Sequence, residues 1–190
     1  MSKPTLAVLD SCVLYSATLR NLFMWLTIRL AFQPKWTEQI HAEWMENLLK
    51  NRPDLTSARL ERTRELMDRW GRDWSVPEYE PLVDTLVLPD PDDRHVLAAA
   101  IASKASEIIT FNLSDFPSSV LEPLGIRAVH PDKFLCELFD KDSPLFMAAI
   151  HDQLGALRNP PHTLDDLLDR FRLENITNLS DRLEACREEF

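Results

Sequence analysis

The sequence predicts an α/β fold with a mostly parallel central sheet, followed by a purely helical segment. Three observations carry this. Short apolar runs, the first of them Thr5-Leu6-Ala7-Val8-Leu9, have the character of strands buried on both faces. These runs alternate with stretches of helical spacing, the pattern of a parallel sheet whose crossovers are helices. After Ser143 only helical periodicity is left.

The first strand ends at Asp10. Ser11 is a candidate cap for a helix through Thr18, and Leu22 to Phe32 predicts a second helix stopped by Pro34. Thr37 is the candidate cap of a helix through Lys50, with Ile40, Trp44, Leu48 and Leu49 near helical spacing. Asn51-Arg52-Pro53-Asp54 breaks it, and Thr56 or Ser57 opens a long charged helix to about Gly71. Leu82 to Leu88 predicts a second strand. Pro89-Asp90-Pro91-Asp92-Asp93 is a turn, with Asp92 as candidate cap of the Ala-rich helix Arg94 to Lys104. Glu107 to Phe111 predicts the third strand, with the loop Asn112-Leu113-Ser114-Asp115 after it. Gly125 closes a small helix, Ile126 to Val129 predicts the fourth strand, and Pro131 fits the first turn of a helix to about Asp140. Beyond that, helices are expected near 145–157, 163–173 and 180–189. The chain thus divides into an α/β domain over 1–140 and a helical extension over 141–190. Leu164, Leu167, Leu168 and Phe171 form a helical stripe, most simply packed on the domain's own surface and otherwise a dimer or partner face.

Composition narrows the function. With 3 glycines in 190 residues, neither a G-x-G-x-x-G nucleotide loop nor a Walker A loop exists. Cys12, Cys136 and Cys186 form no C-x-x-C pair, so a zinc finger or disulfide scaffold is not indicated and a reducing cytoplasm is expected. The histidines form no H-E-x-x-H pair. The apolar stretch from Leu22 to Phe32 is interrupted by Thr27 and Arg29, too short and polar to span a membrane, and no secretory signal is readable. A net charge of −10 argues, taken alone, against nucleic acid. The charge is uneven, however: residues 20–72 carry 10 basic against 7 acidic side chains.

Acids sit where a parallel sheet binds its ligands, beyond the carboxyl ends of the strands. Asp10 ends the first strand, Asp115 follows the third, and the doublet Asp92-Asp93 follows the predicted second, with Glu43 on a helix as a fourth station. Carboxylates forced together repel and raise one another's pKa, so such a cluster calls for a cation or a shared proton. Hard divalent cations such as Mg²⁺ take oxygen ligands of this kind. Position alone leaves Asp92 and Asp93 as alternatives.

Leu9-Asp10-Ser11-Cys12-Val13-Leu14 resembles the first motif of PIN domains, and Trp36-Thr37 through Ile40 and Glu43 is similar to the second. Asp93-Arg94-His95-Val96-Leu97-Ala98-Ala99-Ala100-Ile101 resembles the third. Ile109-Thr110-Phe111-Asn112-Leu113-Ser114-Asp115-Phe116 is similar to the fourth. The order and spacing agree over about residues 5–135, and most resemble bacterial VapC-type toxins of type II toxin–antitoxin pairs, with a C-terminal helical extension. The resemblance implies a PIN-like α/β/α sandwich and a Mg²⁺- or Mn²⁺-dependent endoribonuclease. Under it, Asp10, Glu43, Asp93 and Asp115 form the catalytic metal-site quartet. Ser11, Asp92, Thr110 and Asn112 are then supporting or substrate-orienting groups, with Asp92 as the helix cap. Arg20, Arg52 and Arg94 are candidate RNA contacts. An RNA substrate and a cognate antitoxin are the implied partners, a homodimer is a further expectation, and no membrane association is expected.

Other classes fit less well. A response-regulator receiver needs an acid pair before the first-strand Asp and a Lys after a later strand; Ala7-Val8-Leu9 precedes Asp10 and no Lys closely follows the third strand. A haloacid dehalogenase-like phosphatase needs D-x-D, and Asp10-Ser11-Cys12 lacks it. A PIN-fold scaffold without catalysis would not require all four acidic stations. Ordinary roles compete at single residues. The alternating Arg and Glu of 59–69 read as a salt-bridged solvent face, most tryptophans and Cys12 as packing residues, and His95 as a polar residue near a helix start.

Overall fold

The computed structural model describes residues 4–156 and 161–189. Four parallel strands form one sheet in the order β2-β1-β3-β4, where β1 is Leu6–Leu9, β2 Gln33–Lys35, β3 Glu107–Ile109 and β4 Arg127–Val129. Ala7, Val8, Leu9, Ile108 and Ile109 are fully buried, as strands covered on both faces must be. This is the α/β/α sandwich with a parallel centre that the alternating pattern predicts.

Two segments differ from the sequence expectation. The run Leu82 to Leu88 is no strand: Glu80–Val83 form the short helix α5, opened by Pro81, and the rest is irregular. Residues 74–76 take the place beside β2 instead, through an isolated bridge between Trp36 and Ser75. The true second strand, β2, contains Pro34, which the sequence reading took as a helix stop. It lies at the sheet edge, where a missing N–H is tolerated.

The early helices are α1 (Ser11–Tyr15), α2 (Ala17–Ile28), α3 (Glu38–Asn51) and α4 (Ser57–Trp70). Thr37 and Thr56 cap α3 and α4 as expected. Ser11 does not cap the first helix. Asp10 does, and Ser16 caps a separate α2 that ends before Leu22–Phe32 would have ended. Gly71 closes α4 against the Trp36 ring, where an added Cβ would stand 2.8 Å from ring carbons. The Ala-rich helix α6 (Arg94–Ser103) packs on β1, β2 and β3. It is preceded by a 3₁₀ turn at Pro91–Asp93 that Asp90, not Asp92, caps. Helix α7 (Ser118–Leu121) packs on β4, and Gly125 follows with φ +69°, a left-handed conformation that suits glycine.

Helices α8 (Pro131–Lys141), α9 (Ser143–Ala156), α10 (Leu164–Leu173) and α11 (Thr177–Ala185) complete the chain, close to the predicted helical stretches. They do not form a separate body. Phe134 of α8 meets Phe23 and Phe32 with ring centroids 6.2 and 5.3 Å apart. Helix α9 packs on α2, where Arg29 pairs with Asp152 at 2.7 Å and Gln153 donates to the Thr18 carbonyl. The α10 stripe Leu167, Leu168 and Phe171 is buried in the same core against α2 and α11, so it is satisfied within the chain. Helix α11 starts without a cap of its own. The buried Asp132 carboxylate, from α8, accepts instead from the backbone N–H groups of Asn178 and Leu179 at 3.1 and 2.9 Å. The Asn178 amide donates to it as well, at 2.6 Å.

Candidate active site

The strand order positions the site. From β1 the chain passes to β2 on one side and, later, to β3 on the other. The crevice beyond the carboxyl ends of β1 and β3 is therefore the switch point at which parallel sheets receive ligands. Asp10 stands there, 2 % exposed. Its backbone N–H donates to the Ile109 carbonyl, which extends the β1–β3 ladder and fixes the residue at the rim.

Three donors orient the Asp10 carboxylate. The Ser11 N–H donates to Oδ1 at 2.6 Å, the Thr110 hydroxyl to Oδ2 at 2.7 Å, and the Cys12 thiol to Oδ2 at 3.1 Å. A carboxylate has about four lone-pair positions, so capacity remains for a ligand. Thr110 is held in turn, because its hydroxyl accepts from the Asn112 N–H at 3.0 Å. Ser11 and Asn112 thus serve through their backbones. Cys12 does more than pack: burial and the neighbouring Asp10 charge push its thiol up to about 12, so it stays protonated and donates.

Asp93 stands at the head of α6 without a capping bond of its own. Burial, and then the charges of Asp10, Asp90 and Asp115, push its carboxyl up to about 7. The perturbation identifies Asp10, Asp93 and Asp115 as one electrostatic group at the rim, joined by Asp90, which sequence reasoning did not single out. The acid-rich turn Pro89-Asp90-Pro91-Asp92-Asp93 was the signal for it. Asp115 ends the 3₁₀ turn Leu113–Asp115 and is half-buried. Asp92 is exposed. The Glu43 Oε1 meets Nε2 of the buried His95 at 2.8 Å, and His95 in turn acts on Asp93, opposing the rise in its pKa. The Glu43–His95 pair ties α3 to α6, a role for His95 that its position near a helix start did not reveal. Among the described residues, no three His, Cys, Asp or Glu side chains stand close enough to encircle a metal ion. The donor set nonetheless suits a hard cation: it is all carboxylate, and Asp93 responds to an excess of negative charge around it.

The candidate basic contacts divide. Arg20 is buried, donates to the Leu14 carbonyl and lies 4.7 Å from the Trp44 ring centroid. Arg52 pairs with Asp54 at 2.8 Å on the surface. Arg94 is half-buried, its Nε without a hydrogen-bond partner. On α4, Arg62 and Arg64 are salt-bridged to Glu65 and to Glu38, Glu61 and Asp68, the solvated face expected of that helix. Trp36 and Trp44 are fully buried, whereas Trp70 is half exposed. No described helix is long and apolar enough to cross a membrane.

Comparison with known proteins agrees with this geometry. A family model described as PIN domain matches residues 6–114, more than half of the chain, and one described as VapC50 C-terminal domain matches residues 131–185. A curated protein of Mycobacterium tuberculosis (strain ATCC 25618 / H37Rv), "Putative ribonuclease VapC50", is 44% identical over 77 residues. That stretch covers 40% of this chain and 46% of the relative, so the match spans about half of the relative's length. No solved structure matches. A parallel sheet with aspartates at its β1–β3 rim, a PIN model over its first three strands and a VapC50-type model over the closing helices lead to one placement: the chain belongs to the PIN-domain family.

Proposed function

We propose that the protein is a divalent-metal-dependent endoribonuclease, the toxin of a toxin–antitoxin pair acting on RNA in the cytoplasm. The observation that carries this reading is the coupled group Asp10, Asp93 and Asp115 at the β1–β3 switch point. The name of the mycobacterial relative supports the ribonuclease class.

In this reading Asp10, Asp93 and Asp115 would hold Mg²⁺ or Mn²⁺, and Glu43 would contribute from α3 on its His95 support. When bound, the cation supplies positive charge that acidifies a water and offsets charge on the phosphate. The chain's own residues supply orientation. The Thr110 hydroxyl, the Cys12 thiol and the Ser11 N–H hold the Asp10 carboxylate in one pose, so no reorganisation is needed during the reaction. The hydrolysis adds water across one phosphodiester bond: the water oxygen joins phosphorus and the O3′ of the preceding nucleotide leaves with a proton. The products are a 5′-phosphate and a 3′-hydroxyl.

The test is cleavage of a structured RNA with Mn²⁺, with EDTA, and by Asp10→Asn and Asp93→Asn variants. Cleavage by the wild type with Mn²⁺, lost with EDTA and reduced at least about a hundredfold in both folded variants, is the expected result. Full activity in either variant, or no metal-dependent cleavage of any RNA tried, refutes the proposal and leaves a PIN-fold scaffold.

A further inference from the structure

Beside the carboxylate rim lies a cleft of about 760 Å³, bounded by α1, α2, α3, α4 and α10. Its inner end touches the site: Cys12 and Phe111 line it, and Cys12 Sγ bonds Asp10 while accepting the Phe111 N–H at 3.4 Å. The charge in the cleft is opposite to that of the whole chain. Four arginines line it, namely Arg20, Arg52, Arg59 and Arg170, with Glu174 as the single acid among the described residues.

Two of these arginines, Arg59 and Arg170, have no ion-pair partner within salt-bridge distance among the described residues. Among the described residues only Arg52 of the four has an ion-pair partner, Asp54. Arg20 lies in the cleft wall, 7 % exposed, with its Nε buried and without a hydrogen-bond partner. Its Nη1 donates to the Leu14 carbonyl and its guanidinium faces the Trp44 ring, so it is a fixed positive charge in the wall with one N–H still open. Arg59 and Arg170 stand exposed on α4 and α10, in contrast to the salt-bridged Arg62 and Arg64 further along α4. The one acid is held within the cleft wall: Glu174 Oε2 accepts from the Ser16 hydroxyl at 2.6 Å, which latches the end of α10 to the start of α2, and Arg170 lies within its electrostatic reach. Tyr15 and Phe111 add half-exposed aromatic surface suited to stacking on unpaired bases.

We infer that this cleft carries the sugar-phosphate backbone of a single-stranded RNA to the carboxylates, and that the C-terminal helices form one of its walls, with Arg170 as a phosphate contact. The inference rests on the ribonuclease reading and deepens it. It makes the extension part of the substrate site rather than an appendage. A row of guanidiniums leading to an aspartate group suits a phosphodiester chain better than a protein partner, because planar forks match phosphate oxygens and aromatic faces match bases.

The test uses the full chain in an Asp93→Asn background, which blocks cleavage, and a 5′-fluorescein 20-nucleotide single-stranded RNA read by fluorescence anisotropy in Mg²⁺. Arg59→Ala with Arg170→Ala is compared with Arg62→Ala with Arg187→Ala, two arginines that do not line the cleft. Both cleft positions are exposed, so the variants fold, and circular dichroism checks this. The cleft pair is expected to weaken binding about 10- to 100-fold and to lower the slope of log K against log salt by about 1.4, for two single-strand phosphate contacts. The control pair changes affinity less than about threefold. In the cleavable background, Arg170→Ala raises KM with kcat within about twofold. RNA affinity equal in the cleft pair and the parent overturns the inference, including the case in which only an acidic peptide such as polyglutamate loses affinity. Normal cleavage with unchanged affinity removes the cleft and keeps the ribonuclease. Weakened RNA binding without metal-dependent cleavage by wild type keeps the cleft and removes the ribonuclease.

Discussion

Asp132→Ala tests the joint that holds the last helices in place. Its carboxylate takes the role that a capping side chain of α11 would otherwise fill, and it does so from a different helix. The magnitude follows from where its donors lie. The N–H of Leu179 is in the core, and a buried donor left without a partner costs about 1–3 kcal/mol. Asn178 is exposed, so water replaces the carboxylate there, and losing that cap bond costs about 1 kcal/mol. The sum is about 2–4 kcal/mol, a large share of the roughly 5–15 kcal/mol that holds a domain folded. At roughly 2–4 °C per kcal/mol for a chain of this size, Tm falls by roughly 4–16 °C. The assay is thermal unfolding by circular dichroism, with hydrogen exchange over residues 164–185. Asp142→Ala is the comparison: it removes the bond from the Leu145 N–H at 3.0 Å, an exposed local cap, and costs about 1 kcal/mol. A Tm change below about 1 °C in Asp132→Ala, with exchange protection intact in α11, refutes the capping argument.

Thr110→Val keeps the volume of a buried side chain and deletes the hydroxyl that donates to Asp10. RNA cleavage is expected to fall about 10- to 100-fold with Tm lowered by a few degrees at most; an unchanged rate would show that Asp10 needs no such support. The histidine contribution to stability is expected to decline with acid, opposed over the same range by Asp93, whose raised carboxyl takes up a proton more readily in the native state. Burial holds His41 below its ordinary pKa against the opposing pull of Asp68, and Arg64 lowers it further while Glu38 raises it. The Trp44 Nε1–H donates to His41 Nδ1 at 3.0 Å, so the native imidazole is neutral at Nδ1. The unfolded chain then binds the proton more readily, and stability present above about pH 6.5 is lost as pH falls through that value. His130, lowered by burial, acts in the same direction. Urea unfolding at pH 7.5 and pH 5.5 reads the effect. His41→Gln, able to accept from Trp44 without titrating, should lose less stability than the wild type on going from pH 7.5 to pH 5.5, and the same change in both proteins would refute the assignment.

Much of the architecture was legible because it rests on local pattern. The apolar runs of β1, β3 and β4 between helical stretches mark strands, the edge strand β4 with Arg127 exposed, and Thr37 and Thr56 stand just ahead of helical spacing. Capping was misread by one or two residues where polar residues cluster: Asp10 rather than Ser11, and Asp90 rather than Asp92, bond the first free N–H groups. Strand β2 was hidden because Pro34 argues against a strand everywhere except at an edge, and edge position is a property of the whole sheet. Leu82 to Leu88 misled in the opposite sense, since Val87 is 79 % exposed and only Leu88 of that run is buried. At the proposed site, Asp10 and Asp115 were placed by the ends of β1 and β3, whereas Asp93 was preferred to Asp92 only through the family resemblance, since the strand expected ahead of it is absent. The Glu43–His95 pair and the convergence of Arg59 with Arg170 were not legible, because each joins residues far apart in the chain; the Cys12 thiol bond to Asp10 is local, and was missed because a cysteine in an apolar run reads as a packing residue.

The bond from Thr110 to Asp10 spans 100 positions, and the β1–β3 pairing beneath it spans a similar distance. Closing so long a loop is entropically costly and slow, and contacts of this kind are gained late on the way to the native state. A nascent or partly folded chain therefore has its first aspartate without the hydroxyl that orients it. On the ribonuclease reading proposed above, catalytic competence then arises only together with the completed sheet.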